Sequence, residues 1–162
     1  MKVEKANTML NLLLKQPFFI NMEVDMVEKI AAYASIRDFF PNEEVINAGD
    51  PANEFYIIIE GEAEIDIVDS DNFSTPISIL RESDLIGWSW FYYPFKWQFS
   101  AKASSELKVL VFDATAIKRL SYTDHKIGYE VMKRVAKVMA KRLKDSRILI
   151  KDLIETPASQ PY

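Results

Sequence analysis

The chain has 162 residues, a net charge of −4, 49% hydrophobic residues, no cysteine and a single histidine, His125. That length suits one domain with a sizeable core, and the composition excludes disulfides, thiolate metal sites, a cysteine nucleophile and multi-histidine metal chemistry. Charge is unevenly placed: residues 1–124 carry 11 Lys/Arg against 20 Asp/Glu, whereas residues 125–151 carry nine Lys/Arg against only Glu130 and Asp145.

The opening MKVEKANTMLNLLLKQ interrupts its apolar residues with Glu4, Asn7 and Asn11, unlike a secretory signal peptide, and no apolar run is long enough for a membrane span. A cytoplasmic protein without membrane association is expected. Residues 1–40 read as an N-terminal helical segment. Met9, Leu10, Leu13 and Leu14 form one helical stripe, Pro17 interrupts it, and Met26, Val27, Ile30 and Ala31 form a second.

From Pro41 the period changes. Glu44 to Ala48 is a short strand candidate closed by the Gly49-Asp50-Pro51-Ala52-Asn53 turn. Phe55 to Ile59 is a nearly continuous apolar strand, and Ala63, Ile65 and Ile67 alternate with Glu62, Glu64 and Asp66. Gly61 between them suits a tight hairpin needing positive φ. A turn is expected at 69–72, then strands at 77–80, around Phe99 to Ala103, and over LKVLVF. Many short strands separated by turns predict a jelly roll over residues 41–113, mainly β with flanking helices.

Residues 114–156 return to helical spacing. Asp113 can cap ATAIKRL, and Ser121 or Thr123 can cap a long helix ended by Pro157, leaving a tail at 157–162. Met132, Ala136, Met139, Leu143, Ser146, Ile150 and Leu153 alternate in steps of four and three. Such a seam packs on the sandwich or on a second copy; a homodimer is the expectation.

Residues 86–97, IGWSWFYYPFKW, hold seven aromatic residues, including all three tryptophans, Trp88, Trp90 and Trp97. The order of elements, with the Gly49-Asp50 turn, the Phe55-Tyr56-Ile57-Ile58 strand and the Gly61-Glu62 turn, resembles the cyclic-nucleotide-binding domain family, the sensor jelly roll of catabolite-activator-type regulators and of kinase regulatory subunits. The resemblance spans about Leu13 to the end of the long helix. It implies that the aromatic stretch and its continuation to Ala103 correspond to the phosphate-binding cassette. The family pattern there is Gly-Glu, a short helix, then Arg, a small residue and Ala. The Glu accepts from the ribose hydroxyl, the Arg pairs with the cyclic phosphate, and backbone N–H groups hold the anion.

Here Gly87 is kept, Trp88 stands at the Glu position, and Trp97 falls at the Arg position, with Lys96 one residue early. Two lost charged hydrogen bonds cost about 3–6 kcal/mol, or roughly 10²–10⁴ in affinity. Ordinary cAMP sensing is therefore disfavoured, and no cofactor is named. The stretch also resembles a branch of single-domain bacterial proteins with Gly-Trp-Ser-Trp in place of Gly-Glu. The candidate ligand-binding residues are Gly87, Trp88, Ser89, Trp90, Lys96, Trp97, Phe99 and Ser100. Two readings stand: the rings line a rebuilt pocket for a flat or apolar ligand with any anionic group near Lys96, or they fill the former cavity and form a lid or dimer surface.

Other constellations carry little. Ser121, Asp124 and His125 are too close in sequence for a triad and better suit a helix start. Glu60, Glu62, Glu64 and Asp66 have the spacing of a solvent face, not of converging calcium ligands. No catalytic or metal-binding residue is expected. Lys133, Arg134, Lys137, Lys141, Arg142, Lys144, Arg147 and Lys151 could meet phosphates. In the resembling regulators, however, DNA is read by a module after this helix, and the chain ends at Tyr162, so direct DNA binding is disfavoured. The expected role is a non-enzymatic regulatory sensor of a small molecule. The alternatives are a ligand-free module for protein interaction or dimerisation, and transcriptional control through a separate DNA-binding partner.

Overall fold

The computed structural model describes residues 2–68, 71 and 73–155; the tail and most of the turn expected at 69–72 lie outside them. Helices α1 (Lys2–Leu14) and α2 (Val24–Ala31) precede strands β1 (Ala34–Phe39), β2 (Glu44–Ile46), β3 (Glu54–Glu60), β4 (Ala63–Val68), β5 (Ser74–Leu80), β6 (Leu85–Ile86), β7 (Ser100–Ala103) and β8 (Leu107–Asp113). Helices α3 (Ala114–Thr123) and α4 (His125–Glu155) follow. Among the described residues the strands form two four-stranded antiparallel sheets, ordered β1-β8-β3-β6 and β2-β7-β4-β5. This is the expected jelly roll with flanking helices.

The apolar run of β3 is explained by its place between β8 and β6, where Phe55, Tyr56, Ile57 and Ile58 are all buried. Alternating β4 buries Ala63 and Ile65. Gly61 adopts φ +89 in the β3–β4 turn, and a Cβ there would lie 2.0 Å from the Glu106 carbonyl oxygen. The turn therefore needs glycine for close approach as well as for its dihedral. Helix α2 buries Met26, Val27 and Ile30 of the stripe predicted from spacing, with Ala31 partly buried.

Several local expectations change. Residues 34–39, expected within the helical segment, form β1, because α2 stops at Ala31 and Ala34 to Phe39 pair with Phe112 to Leu107 of β8. The two-residue β6 was not anticipated; it is held by pairing with Tyr56 and Ile57, not by propensity. The long helix is capped by Asp124, whose Oδ1 accepts from the Ile127 N–H at 3.3 Å, while the Ser121 hydroxyl donates to Ile117 O within α3. Asp113 caps α3 as expected, accepting from the Ala116 N–H at 2.9 Å. The acidic row of β4 is also more than a solvated face. Glu62 pairs with Arg81 and Glu64 with Lys102, and Asp66 is buried, accepting from the Ser74 hydroxyl at 2.8 Å.

Across β8, Arg37 of β1 donates two hydrogen bonds to Glu54 of β3, at 2.8 and 2.9 Å, and the Tyr56 hydroxyl donates to the same carboxylate at 2.8 Å. The Arg37 bonds hold the Glu54 carboxyl below its ordinary value of 4.5. Depression in the folded state means stabilisation present above the unfolded value and lost as pH falls through the folded one. The thermal midpoint of the parent should therefore fall more than that of Arg37→Met on moving from about pH 5.5 to about pH 3. Because the pair is partly solvated, the difference should be about 1–3 °C. Equal falls in scanning calorimetry would refute the linkage.

Candidate functional site

The aromatic stretch leaves β6 at Gly87, in positive φ at +80, and turns through a single 3₁₀ turn at Ser89–Phe91. It then runs beside the 47–52 turn. Gly49 N–H donates to Trp97 O at 2.9 Å, Trp97 N–H to Asp50 O at 2.9 Å, and Ala52 N–H to Phe95 O at 2.8 Å. The Ser100 hydroxyl accepts from Ala48 N–H at 3.0 Å. Backbone groups of Ala48, Gly49, Asp50 and Ala52 thus provide the edge that fixes the loop.

The tryptophans go three ways. Trp90 is 1% exposed and stacks on Phe55 at 4.9 Å, which stacks in turn on Phe112 at 4.7 Å. Trp97 is buried with its ring against Gly87, where a Cβ would stand 2.5 Å from Cζ3. Trp88 is partly buried, and the Arg142 guanidinium of α4 lies 5.5 Å from its ring centroid. The rings divide: Trp90 fills core space, while Trp88 and Trp97 wall an open cavity of ≈ 870 Å³.

That cavity lies between the second sheet, the loop and α4. Ile65, Ile67, Ile77 and Ile79 line it from β4 and β5, Gly87, Trp88, Ser89, Trp97 and Phe99 from the loop, and Met139, Arg142, Leu143 and Ile150 from α4. Among the predicted site residues, Trp90, Lys96 and Ser100 are not in the lining. Lys96 is exposed, its backbone bridged to Pro51. The sequence reading missed the contribution of α4, although Met139, Leu143, Ser146 and Ile150 of its seam line the cavity.

Arg142 was read as one cation in a basic run. It is partly buried and donates to Leu85 O at 3.1 Å. Burial pushes its guanidinium below the ordinary arginine value, opposed by the charges of Asp84 and Asp145. It stays cationic, since arginine lies far above neutrality. Asp84 is engaged elsewhere, accepting from Arg81 N–H at 2.9 Å and facing Lys141 Nζ at 4.0 Å. The basic flank is partly neutralised within the fold: Lys133 and Arg134 both meet Glu130, and Lys126 meets Glu23 at 2.7 Å.

Among the described residues no cluster of His, Asp and Glu could hold a metal ion, and no helix is long and apolar enough to cross a membrane. No curated protein matches the chain. The sequence model of the cyclic nucleotide-binding domain matches residues 36–124. Among solved structures, a cyclic nucleotide-binding domain from Methylobacillus flagellatus KT is 18% identical over 98% of this chain and 88% of its own, with a TM-score of 0.77. The sensor domain of the transcriptional regulator DNR from Pseudomonas aeruginosa is 16% identical over 98% of this chain and 99% of its own, with a TM-score of 0.62. The regulatory subunit of a cAMP-independent protein kinase A from Trypanosoma brucei is 17% identical over 90% of this chain and 52% of its own, with a TM-score of 0.71. At such identities the likeness concerns the fold. With more than half of its length matched by the family model, the chain belongs to the cyclic nucleotide-binding domain family.

Proposed function

We propose that the chain is a regulatory sensor in which a small molecule occupies the cavity between the aromatic loop and α4 and so biases the position of that helix. The observation that supports this reading is the shared wall: an occupant would touch Trp88 and Trp97 on one side and Met139, Arg142 and Leu143 on the other. Differential contact with a movable element is what lets a ligand shift a conformational equilibrium. The response would be carried by a homodimer. Met132, Leu143, Ile150 and Leu153 of the seam are 51–68% exposed in the single chain, a stripe suited to a second copy. A non-enzymatic role in the cytoplasm accords with this reading.

The same exposed stripe favours the second reading, a ligand-free module that uses α4 to bind a partner protein. Both are tested by titrating 1-anilinonaphthalene-8-sulfonate and cAMP while following tryptophan emission, thermal midpoint and sedimentation. The sensor reading expects this aromatic, anionic dye to shift emission and raise the midpoint by several degrees, with the effect reduced at least tenfold in Trp88→Ala. It expects cAMP to bind about 10²–10⁴ more weakly than to a site with both charged anchors. No response to the dye would favour the module. Tight cAMP binding would overturn the argument from Trp88 and Trp97.

A further inference from the structure

Most of the cavity wall is aliphatic, with Ile65, Ile77 and Ile79 on the strands facing Leu143 and Ile150 on α4. One cation stands out in it. Arg142 directs one donor to Leu85 O and has its guanidinium over Trp88, and no carboxylate lies within salt-bridge distance of it among the described residues. The other basic side chains of the lining have acidic neighbours: Arg81 pairs with Glu62 at 2.9 Å and Lys141 approaches Asp84 at 4.0 Å. Asp145, also in the lining, adds negative charge one turn along α4. It disfavours a multiply charged anion without neutralising the guanidinium by contact. Lys96, the cation nearest the loop in sequence, is outside the lining.

A partly desolvated guanidinium with free donors suits a planar, singly charged acceptor that can take two parallel N–H bonds. We infer that the site takes a monocarboxylate with an apolar aliphatic body, its carboxylate held by Arg142 of α4 and its chain between the isoleucines of β4–β5 and the leucine and isoleucine of α4. This rests on the sensor reading and specifies its ligand class. The anion contact thereby lies on the same helix as the exposed seam. The head group would thus be recognised from α4 and the chain packed against both walls, so occupancy favours the position of α4 in which the two walls face each other.

The test compares decanoate, decanol and decylammonium with the parent, Arg142→Met, Arg142→Lys and Lys96→Met, each followed by tryptophan emission and thermal midpoint. Decanoate should bind the parent about 10- to 100-fold more tightly than decanol, and decylammonium more weakly than either. Each methylene from octanoate to decanoate should tighten binding about three- to fourfold. Arg142→Met should abolish the preference for decanoate over decanol, whatever its effect on decanol itself; Arg142→Lys should restore part of the preference, and Lys96→Met should leave it intact. Decanol affinity and circular dichroism show that each variant is folded with its cavity open. Equal binding of decanoate and decanol, or a preference that survives Arg142→Met, overturns the inference while the sensor reading stands. Failure of all three compounds to bind the parent overturns the inference, and the sensor reading falls with it only where the dye also gives no response.

Discussion

Trp90→Ala should destabilise the fold by about 3–5 kcal/mol, the cost of truncating a fully buried tryptophan. The ring is 1% exposed and ends a stack that runs through Phe55 to Phe112, so its removal opens a void beside β3 and β8 and deprives Phe55 of one face. Phe91, edge-on to Trp90 at 5.5 Å, also loses its contact. Urea unfolding should show a lower midpoint with an unchanged slope. Trp90→Phe should cost far less, because it keeps the stack and removes an indole N–H that has no partner. Trp88→Ala should cost under about 1.5 kcal/mol, since that ring faces the cavity and is only partly buried. Comparable losses for Trp88→Ala and Trp90→Ala would contradict the division between a core ring and a wall ring.

Gly87→Ala should cost about 2–5 kcal/mol. Its backbone lies at φ +80, where an L-side chain is strained by roughly 1–2 kcal/mol. The added methyl would stand 2.5 and 2.7 Å from Cζ3 and Cη2 of Trp97, so the ring must move. Trp97 is buried and its backbone is bonded on both sides to the 49–50 turn, and overpacking at such a place costs a further 1–3 kcal/mol, roughly. The displaced ring forms part of the cavity wall, so dye binding should fall by about tenfold or more even at temperatures where the variant is folded. Gly49→Ala is the control: it shares a positive φ of +92 but has nothing within 4 Å of the added Cβ. It should carry the dihedral penalty alone and leave dye affinity unchanged. A Gly87 variant that behaves like the Gly49 variant would show that Trp97 does not pack on Gly87.

The jelly roll was legible because strand period, turn residues and the three signature segments (Gly49-Asp50, Phe55 to Ile58 and Gly61-Glu62) agreed over most of its length. What escaped were elements made by pairing. β6 is two residues long and β1 contains an exposed Ile36, so neither carries a pattern that a window of sequence can register; both exist because β3 and β8 offer free edges. The loop half of the cavity lies at Gly87, Trp88, Ser89, Trp97 and Phe99, all among the residues picked from the sequence, whereas Trp90 went to the core. The helix half was not. Arg142 is surrounded by Lys141 and Lys144 in sequence, and only the fold shows which of these neighbours turns toward Trp88. For the same reason Lys96 looked like the obvious cation. Adjacency along the chain placed it beside Trp97, but successive residues of an extended segment face opposite ways.

The hydrogen bonds that join residues 95–100 to residues 48–52 bear on how anything gets in or out. A stretch fastened at Ala48, Gly49, Asp50 and Ala52 cannot lift away without carrying the preceding turn with it, so the aromatic side serves as a fixed jamb. Opposite it, residues 143–155 of α4 are all exposed, and Arg142 just before them donates to Leu85 O of β6 and lies over the Trp88 ring. On the proposed sensor reading, the wall that is not tied down is therefore also the one that would report a guest.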